Sequence, residues 1–417
     1  MELMPGYKHS DVGVIPDDWD AVPLSQTAKR ITRGASPRPI DSPVWFDSRS
    51  SVGWVRISDV TRSGRYLMET TQRLSEEGIR RSRPVPSGSL IMSICATVGR
   101  PIETRIDTCI HDGFVVFDQP SIDQSYLYHV LAALEPTWSK HGQTGSQMNL
   151  NTGLINSCLI PLPPTETEQR AIAQALSDAD ELLAALDQMI VKKLDLKKAT
   201  LQQLLTGETR LPGFDGEWLE KSLSNTATLK ARIGWQGLTT AEYLDVGDYL
   251  LVTGTDFKNS NIDWQNCHYV TEERYSQDKN IQLKLNDVLV TKDGTIGKVA
   301  LISELPSPAT LNSGVFVIRP IRDAFHPNFF YFLLCSKVFT EFLNELCAGS
   351  TISHLYQKDF ITFKYRTPPT LSEQNAISKV LSDMDAELSA LEIRREKALN
   401  IKQAMMQELL TGKTRLV

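Results

Sequence analysis

The side chains that could bind an anion are concentrated in the first quarter of the chain. Between Lys29 and Arg100 there are 13 Lys and Arg, 12 of them Arg, against 6 Asp and Glu. The stretch from Lys221 to Ala300 is balanced, with 9 basic and 10 acidic residues. The 417 residues together carry a net charge of -6, which excludes a uniformly basic nucleic-acid binder. If the chain binds a polyanion, its positive groups must be sorted onto local faces.

Catalytic and metal-binding signatures are missing from the sequence. Gly412-Lys413-Thr414 resembles the end of a phosphate loop, but Gln407 stands where that loop needs its first glycine. The 7 His show no metal-ligand spacing, and the 6 Cys are too far apart for a CxxC zinc or redox site. No glycine-rich dinucleotide turn is present. We therefore predict no catalytic residue, no metal ligand and no cofactor-binding residue in this chain.

The sequence also predicts where in the cell the protein is located. No apolar run approaches the roughly 18 residues that a membrane span requires. Residues 1–10 lack the charged and then apolar layout of a signal peptide. We therefore predict a cytoplasmic protein with no membrane contact.

One segment of the chain occurs twice. Residues 163–211 align without gaps to residues 368–416, and 26 of the 49 positions are identical. The regions between are more diverged, yet Thr97-Val98-Gly99-Arg100 still matches Thr295-Ile296-Gly297-Lys298. The chain is therefore one unit written twice, each a variable block followed by a well-kept segment.

Each kept segment has the signals of one long helix. Thr165 and Thr370 each precede a Glu by three positions, which is the capping-box pattern at a helix start. Gly207 and Gly412 stand where a left-handed C-terminal cap would end the helix. A rod of about 40 residues is about 60 Å long, which exceeds the diameter of a 150-residue domain. Much of each rod must therefore be buried against the other, and an antiparallel pair satisfies this.

Apolar residues at seven-residue spacing mark the predicted seam between the two helices. In the first helix the spacing then steps by four, to Leu194 and Leu201, and the second helix repeats the step. The predicted helix-pair core consists of Leu176, Leu183, Leu186, Ile190, Leu194, Leu201, Leu381, Leu388, Leu391, Leu399 and Met406.

The two variable blocks are predicted to mix strands and helices. Short β-branched or alternating runs favour strands in Ser51–Val60, Ser89–Val98, Phe114–Phe117, Tyr249–Thr255, Asp287–Thr291 and Val315–Ile318. Tyr126–Leu134 and Phe329–Phe342 favour helices. The predicted fold class is α+β, with two pseudo-two-fold-related globular domains joined by two long antiparallel helices that form a coiled coil. The predicted boundaries are domain 1 at 1–162, helix 1 at 163–208, domain 2 at 209–367 and helix 2 at 368–413.

Taken together, these motifs resemble the specificity subunit of type I restriction-modification systems. Both kept segments open with Pro-Pro-x-x-x-Glu-Gln and close with Leu-Leu-Thr-Gly, and Pro16–Trp19 supplies a Pro-x-x-Trp motif. The second block begins with Gly216-Glu217-Trp218 instead of Pro-x-x-Trp, which departs from the pattern. The resemblance covers essentially the whole chain.

The resemblance implies a bipartite function. Each variable block would be a target-recognition domain that reads one half of a split site in double-stranded DNA. The paired helices would set the gap and dock two methyltransferase subunits, to which two ATP-dependent restriction and translocase subunits can add. S-adenosylmethionine, ATP and Mg²⁺ would then belong to those partners, with no cofactor in this chain.

Base edges and phosphates are contacted by Arg, Lys, amide and hydroxyl side chains. The candidate DNA-binding residues in the first block are Arg33, Arg38, Arg56, Arg62, Arg65, Arg81, Arg83, Arg100, Gln147 and Asn149. Those in the second block are Lys230, Arg232, Gln236, Lys258, Asn259, Lys292, Lys298, Ser350 and Thr351.

Two other functions stay open on the sequence. A non-catalytic coiled-coil scaffold would explain the rods but not the diverged blocks. A solitary restriction enzyme with an unrecognised active site would need catalytic motifs that the sequence does not display.

Overall fold

The computed structural model describes residues 5–141, 150–258, 260–346 and 354–416. The chain divides into two compact units, Met1–Asp187 with Ile393–Val417, and Gln188–Glu392. We call residues 5–162 head 1 and residues 209–367 head 2. Each unit therefore combines one head with part of both long helices.

Head 1 mixes short strands and helices. Its strands are β1 Tyr7–Ser10, β2 Gly13–Pro16, β3 Asp20–Pro23, β4 Ala28–Arg33, β5 Gly53–Val55, β6 Tyr66–Leu67, β7 Gln72–Arg73, β8 Arg83–Val85, β9 Leu90–Ser93, β10 Pro101–Thr104, β11 Thr108–Ile110, β12 Phe114–Pro120 and β13 Leu159–Leu162. Its helices are α1 Ile57–Arg62, α2 Glu76–Arg80, α3 Gln124–His141 and α4 Thr152–Ser157.

Two sheets form the body of head 1. The larger has the strand order β4-β12-β9-β10-β6, and the smaller has the order β7-β5-β11-β8. Apolar residues of both sheets pack together, including Val55, Ile91, Ile110 and Phe114, which are all fully buried. The central strands β9 and β11 are short and fully buried, because both faces of these strands are covered.

The first long helix, α5, spans the 41 residues Glu166–Thr206. Head 2 follows, with strands β14 Leu219–Ser222, β15 Ala227–Lys230, β16 Tyr249–Val252, β17 Phe257–Lys258, β18 Asn261–Ile262, β19 His268–Val270, β20 Val288–Thr291, β21 Val299–Leu301, β22 Ala309–Leu311, β23 Val315–Pro320 and β24 Lys364–Thr367. Its helices are α6 Leu223–Thr226, α7 Glu272–Ser276, α8 Pro327–Leu334, α9 Lys337–Leu346 and α10 Gln357–Phe360. The second long helix, α11, spans the 39 residues Leu371–Leu409.

Head 2 repeats the plan of head 1. One sheet has the order β15-β23-β20-β21, and the other has the order β19-β16-β22. Leu289, Ala300 and Val317 pack between the sheets. Phe330 of α8 and Phe360 of α10 pack on the opposite face of the first sheet.

Three sequence predictions are corrected at the level of elements. The run Ser51–Val60 is strand only at Gly53–Val55 and then turns into helix α1. Ser89–Val98 is strand only at Leu90–Ser93. The helix predicted over Phe329–Phe342 is interrupted between Leu334 and Lys337, and so forms α8 and α9.

Both long helices begin and end as their sequences predict. The Glu168 amide donates to Thr165 Oγ1 at 3.2 Å, and the Glu373 amide donates to Thr370 Oγ1 at 3.3 Å. Gly207 and Gly412 follow the helix ends with φ of 76° and 71°. A Cβ at Gly412 would lie 2.5 Å from Pro16 Cγ, so a side chain is excluded at this cap.

Within each unit the two helices run antiparallel. In the first unit Asp187 pairs with Arg395 and Asp180 pairs with Lys402. In the second unit Lys193 pairs with Glu387 and Lys197 pairs with Asp385. As the residue number rises along α5 it falls along α11. The prediction of an α+β chain with two heads and two long antiparallel helices is therefore confirmed.

The predicted seam is right near the helix ends and wrong in one detail near the middle. Leu176 and Leu381 are fully buried, and Leu186 and Leu388 are 3% and 6% exposed. Leu183, Ile190, Leu201, Leu391, Leu399 and Met406 are half-buried. Leu194 is 39% exposed, and Lys193 and Lys197 face α11 in its place. Leu201, which the predicted step of four also includes, packs beside Leu204, so Leu194 is the predicted seam residue that departs.

The C-terminal segment lies beside the N-terminal one. The Tyr7 hydroxyl donates to the carbonyl oxygens of Gly412 and Lys413 at 3.2 and 3.1 Å. Arg415 donates to Asp18 at 2.9 Å, and its guanidinium lies 5.8 Å from the Trp19 ring centre. Residues near both ends of the chain therefore contact one another within the first unit.

Candidate nucleic-acid interface

The ends of several strands in head 1 bring four loops to one edge. The Gly34 amide donates to Phe114 O at 2.9 Å, and the Ile94 amide donates to Gly113 O at 2.8 Å. β5 and β11 are parallel, so Val55 and Ile110 end side by side. We call the segments 33–38, 56–62 (which contains α1), 94–99 and 111–113 the first polar edge.

Arginine side chains and a histidine dominate the first polar edge. Arg33 is exposed and donates from Nε to Asp112 O at 2.6 Å, while Ser36 donates to the Asp112 carboxylate at 2.6 Å. The hydrogen bond from Ser36 lowers the pKa of Asp112, so this carboxylate is charged. Burial lowers the pKa of His111, and nearby Arg56 lowers it further.

The geometry fixes which nitrogen of His111 is a donor. The Gly113 amide donates to His111 Nδ1 at 2.9 Å, so the hydrogen of the neutral ring is on Nε2. The first polar edge thus combines guanidinium donors, one imidazole donor and a carboxylate acceptor. Such a set can contact phosphates and base edges.

Most of the predicted residues in head 1 lie at or beside this edge. Its segments include Arg33, Arg38, Arg56 and Arg62. Arg83 on β8 lies opposite Ile110, the last residue of β11, in the strand register. Arg81 follows α2 and pairs with Glu77. Gln147 and Asn149 lie outside the described residues.

Arg65 and Arg100 do not reach the first polar edge. The Arg65 side chain is only 8% exposed and is paired with Glu103, so its predicted DNA contact is corrected to an internal role. Arg100 donates from Nη2 to Ser63 O at 3.3 Å and lines the same groove as Arg65, beside α5 and α11.

Head 2 has an equivalent edge. The Asn312 amide donates to Val252 O, and the Lys292 amide donates to Gly314 O, both at 2.9 Å. We call the segments 230–236, 253–256, 292–298 and 312–314 the second polar edge. They follow or precede β15, β16, β20, β22 and β23.

The second polar edge holds amide and carboxylate groups beside its cations. Asn312 donates from Nδ2 to the Tyr243 hydroxyl at 2.6 Å. Asp256 is 7% exposed and accepts from the Thr253 amide at 2.7 Å, and burial raises the pKa of this carboxyl group. Asp293 pairs with His354, which lies just beyond the edge.

The predicted residues of head 2 are divided between surface and interior. Lys230 is exposed at the end of β15, and Lys292 lies with Nζ 5.2 Å from the Phe316 ring centre. Lys298 is half-buried at the end of its loop. Lys258 is exposed but pairs with Asp263. Asn259, Ser350 and Thr351 lie outside the described residues.

The predicted DNA contact of Arg232 is also corrected, because this side chain is buried. It is 2% exposed and donates from Nε to Leu311 O at 2.8 Å and from Nη2 to Thr310 Oγ1 at 3.2 Å. Its guanidinium is therefore a structural group that holds the 230–236 segment on β22. Gln236 is 7% exposed, so most of it is also hidden from solvent.

One loop has the same construction in both heads. The Gly99 amide donates to Ser93 O at 2.8 Å, and the Gly297 amide donates to Thr291 O at 2.9 Å. Both glycines have positive φ, of 86° and 83°. A Cβ at Gly99 would lie 2.1 Å from Trp138, and one at Gly297 would lie 2.4 Å from Leu343. The faint sequence repeat between Thr97–Arg100 and Thr295–Lys298 thus corresponds to a turn that has the same structure in both heads.

Sequence reasoning missed His111, Asp112, Tyr243 and Asn312. His111 and Asn312 each directly follow the last residue of a short apolar strand, and Asp112 follows His111. A polar residue just after such a strand is the signal that could have identified them. Tyr243 follows a short turn and had no such signal.

The described residues contain no group of three His, Cys, Asp or Glu that could hold a metal ion. In the same part of the chain, no helix is long and apolar enough to cross a membrane.

Comparisons with known proteins agree on one family. Residues 50–195 and 234–400 match the family model described as type I restriction modification DNA specificity domain. The MjaX specificity subunit of a type I restriction enzyme from Methanocaldococcus jannaschii is 23% identical, over 98% of this chain and 97% of that protein.

Two solved structures share the fold. The S subunit of a type I restriction-modification system from M. genitalium superposes with a TM-score of 0.63 at 14% identity, over 98% of this chain and 99% of that one. A structure from work on complex assembly and conformational transition of the type I R-M system gives a TM-score of 0.56 at 17% identity, over 96% and 99% of the two chains.

The family model covers about three quarters of the sequence and matches it twice, once over most of head 1 and once over most of head 2, each time with much of the long helix that follows. The chain therefore belongs to the type I restriction modification DNA specificity family, and it is a specificity subunit that recognises DNA sequence.

Proposed function

We propose that head 1 and head 2 each read one half of a bipartite site in double-stranded DNA. The observation that carries this proposal is the presence of one polar edge in each head, built by equivalent strand ends. The two edges differ in chemistry, since the cations of the first are Arg, whereas those of the second are Lys and the buried Arg232. Two edges of different chemistry suit two different half-site sequences.

The long helices would set the gap between the half-sites. The two long helices and the segments that follow them are joined by ion pairs that recur at an offset of 205 residues. Arg415 pairs with Glu168 in the first unit as Arg210 pairs with Glu373 in the second. Lys402 pairs with Asp180 as Lys197 pairs with Asp385. A frame repeated in this way supports one fixed geometry for each head on its helices.

Catalysis would belong to partner subunits. We propose that two methyltransferase subunits dock on the helices and bind S-adenosylmethionine, and that two ATP-dependent restriction and translocase subunits can join them with ATP and Mg²⁺. DNA affinity would then be shared, because a chain with a net charge of -6 gains little from long-range attraction to phosphate. The complex would work in the cytoplasm, where host DNA lies.

Reconstitution with the host methyltransferase subunit tests this proposal. Methyl transfer from S-adenosylmethionine to unmethylated host DNA is measured with the chain alone, with the methyltransferase alone and with both. We expect transfer only with both. Transfer or cleavage by the chain alone favours a solitary restriction enzyme. Failure of the mixture to bind any duplex favours a scaffold.

A further inference from the structure

A buried guanidinium joins head 1 to its long helix. Arg65 lies between α1, which belongs to the first polar edge, and β6. It donates from Nε and Nη2 to Glu103 Oε1 on β10, at 2.9 and 2.6 Å. The two side chains are 8% and 5% exposed, so this ion pair is almost removed from solvent.

The remaining donors of Arg65 reach two helices. Nη2 donates to Ser125 Oγ on α3 at 2.8 Å, and Nη1 donates to Ser177 Oγ on α5 at 2.6 Å. Ser177 in turn donates to Ala173 O within α5 at 2.7 Å. The guanidinium carbon lies 4.5 Å from the Tyr128 ring centre, which fixes the plane of the group. One side chain thus connects β10, α3 and α5.

Head 2 is attached to its helices in a different way. The position equivalent to His129, which faces Ser177, is Phe332 in α8, and it packs with Leu381 and Leu204 in an apolar cluster. Ser382 is the counterpart of Ser177, and the described residues give its side chain no hydrogen bond to a head. The His326 amide of head 2 does donate to Gln374 Oε1 on α11 at 2.8 Å, but the described residues of head 2 show no counterpart of the Arg65 network.

We propose that Arg65 is a positioning residue that fixes the angle of the first polar edge on α5 through its bond to Ser177. Hydrogen bonds of a rigid planar fork define orientation more narrowly than apolar contact does. Arg65 acts without touching DNA. This inference rests on the proposed function, since the angle of head 1 matters only if two half-sites must be met together.

How firmly the angle of a head is fixed determines how strictly the protein selects the gap length between the half-sites. One base pair moves a half-site by about 3.4 Å along the duplex. A site held to within about 0.5 Å discriminates against such a shift, and a loosened head does not. Removing the link should therefore broaden the accepted gap while leaving the recognised bases unchanged.

Ser177→Ala is the main test, because it removes the bond to α5 and keeps the ion pair inside head 1. Arg65→Met is the stronger variant, and Ser382→Ala is the matched control in α11. Each is assembled with the methyltransferase subunit, and methylation rates are measured on duplexes with the mapped half-sites at gaps of one base pair more and less. A second series varies the half-site sequences at the optimal gap.

We expect Ser177→Ala and Arg65→Met to reduce the preference for the optimal gap by about fivefold or more, with Ser382→Ala unchanged. Sequence preference at both half-sites should stay the same. An equal loss of rate at every gap would overturn the inference in favour of a merely structural role. A changed preference at one half-site would overturn it in favour of direct contact with DNA. Absence of any gap preference in the unaltered chain would instead refute the proposed function.

Discussion

His129 is a buried ionisable group whose surroundings oppose its charge. The ring is fully buried on α3, and burial together with Arg65 and Lys402 lowers its pKa to about 3. Asp180 lies 3.9 Å from Nδ1 but is itself paired with Lys402. The folded protein therefore holds this histidine neutral at every pH at which it is used.

This burial predicts an acid-sensitive first unit. The pKa of His129 is lower in the folded chain than its ordinary value of about 6.5, so between pH 6.5 and 3 the unfolded chain binds a proton that the folded chain does not. Stability should fall as pH decreases through this window. At pH 5 the loss is about 2 kcal/mol relative to pH 7.

His129→Phe places in head 1 the residue type that head 2 carries at Phe332. We expect this variant to lose less stability between pH 7 and pH 5 than the unaltered chain, as measured by urea unfolding. His9→Phe, at an exposed position, is the control. An acid dependence equal to that of the unaltered chain would show that His129 is not the group responsible.

The sequence predicts the type of group at the interface better than the role of each residue. The stretch between Lys29 and Arg100 has a surplus of Arg, and Arg33 and Arg62 from it are exposed at the first polar edge. Arg65 lies in the same stretch but is buried, and Arg232, from the charge-balanced stretch of the second block, is buried as well. Their acceptors, Glu103 and Leu311 O, come from distant strands, and only the tertiary fold brings them into place.

At the scale of elements, the start of each long helix is tied to the end of the other. The Glu168 carboxylate is 1% exposed and is paired with Arg415, and Glu373 is equally buried and paired with Arg210. The repeat predicts a capping box at both positions, and the Thr caps do form. The Glu side chains, however, hold the segment that follows the opposite helix.

Removing one of these arginines should destabilise its own unit. Arg415→Met leaves buried Glu168 without its partner, at a cost of about 2 kcal/mol, which is less than a fully buried pair because Arg415 is one-third exposed. Arg210→Met should cost a similar amount. Because the two sites share no partner, the double variant should show the sum of the two effects.

Urea unfolding of both single variants, the double variant and Arg394→Met checks this prediction. Arg394 is an exposed arginine on α11 and serves as the control. A loss in Arg415→Met no larger than that of the control would contradict the role given to the pair.

The helix seam shows where periodicity fails as a guide. Leu176 and Leu186 of the predicted stripe are buried, whereas Leu194 is 39% exposed. Lys197 holds the seam position because Asp385 faces it. A stripe drawn from apolar residues alone cannot include a seam position filled by an ion pair.

At the scale of the whole molecule, the chain is two units that share a frame and differ in their polar edges. The gapless repeat of residues 163–211 predicts the frame in detail, since its contacts recur at the same offset. The heads are less predictable, because their short strands pair across long stretches of sequence and several candidate residues belong to the interior.

The central claim is that the two heads read two half-sites independently. Mapping of methylated bases in host DNA tests it most directly, with the unaltered chain and with a chain in which residues 1–162 are exchanged for the corresponding block of a related specificity subunit. We predict a split motif with a fixed gap, of which the exchange alters one half and leaves the other half unchanged. One uninterrupted motif, or a change in both halves on exchange of head 1, would contradict the account.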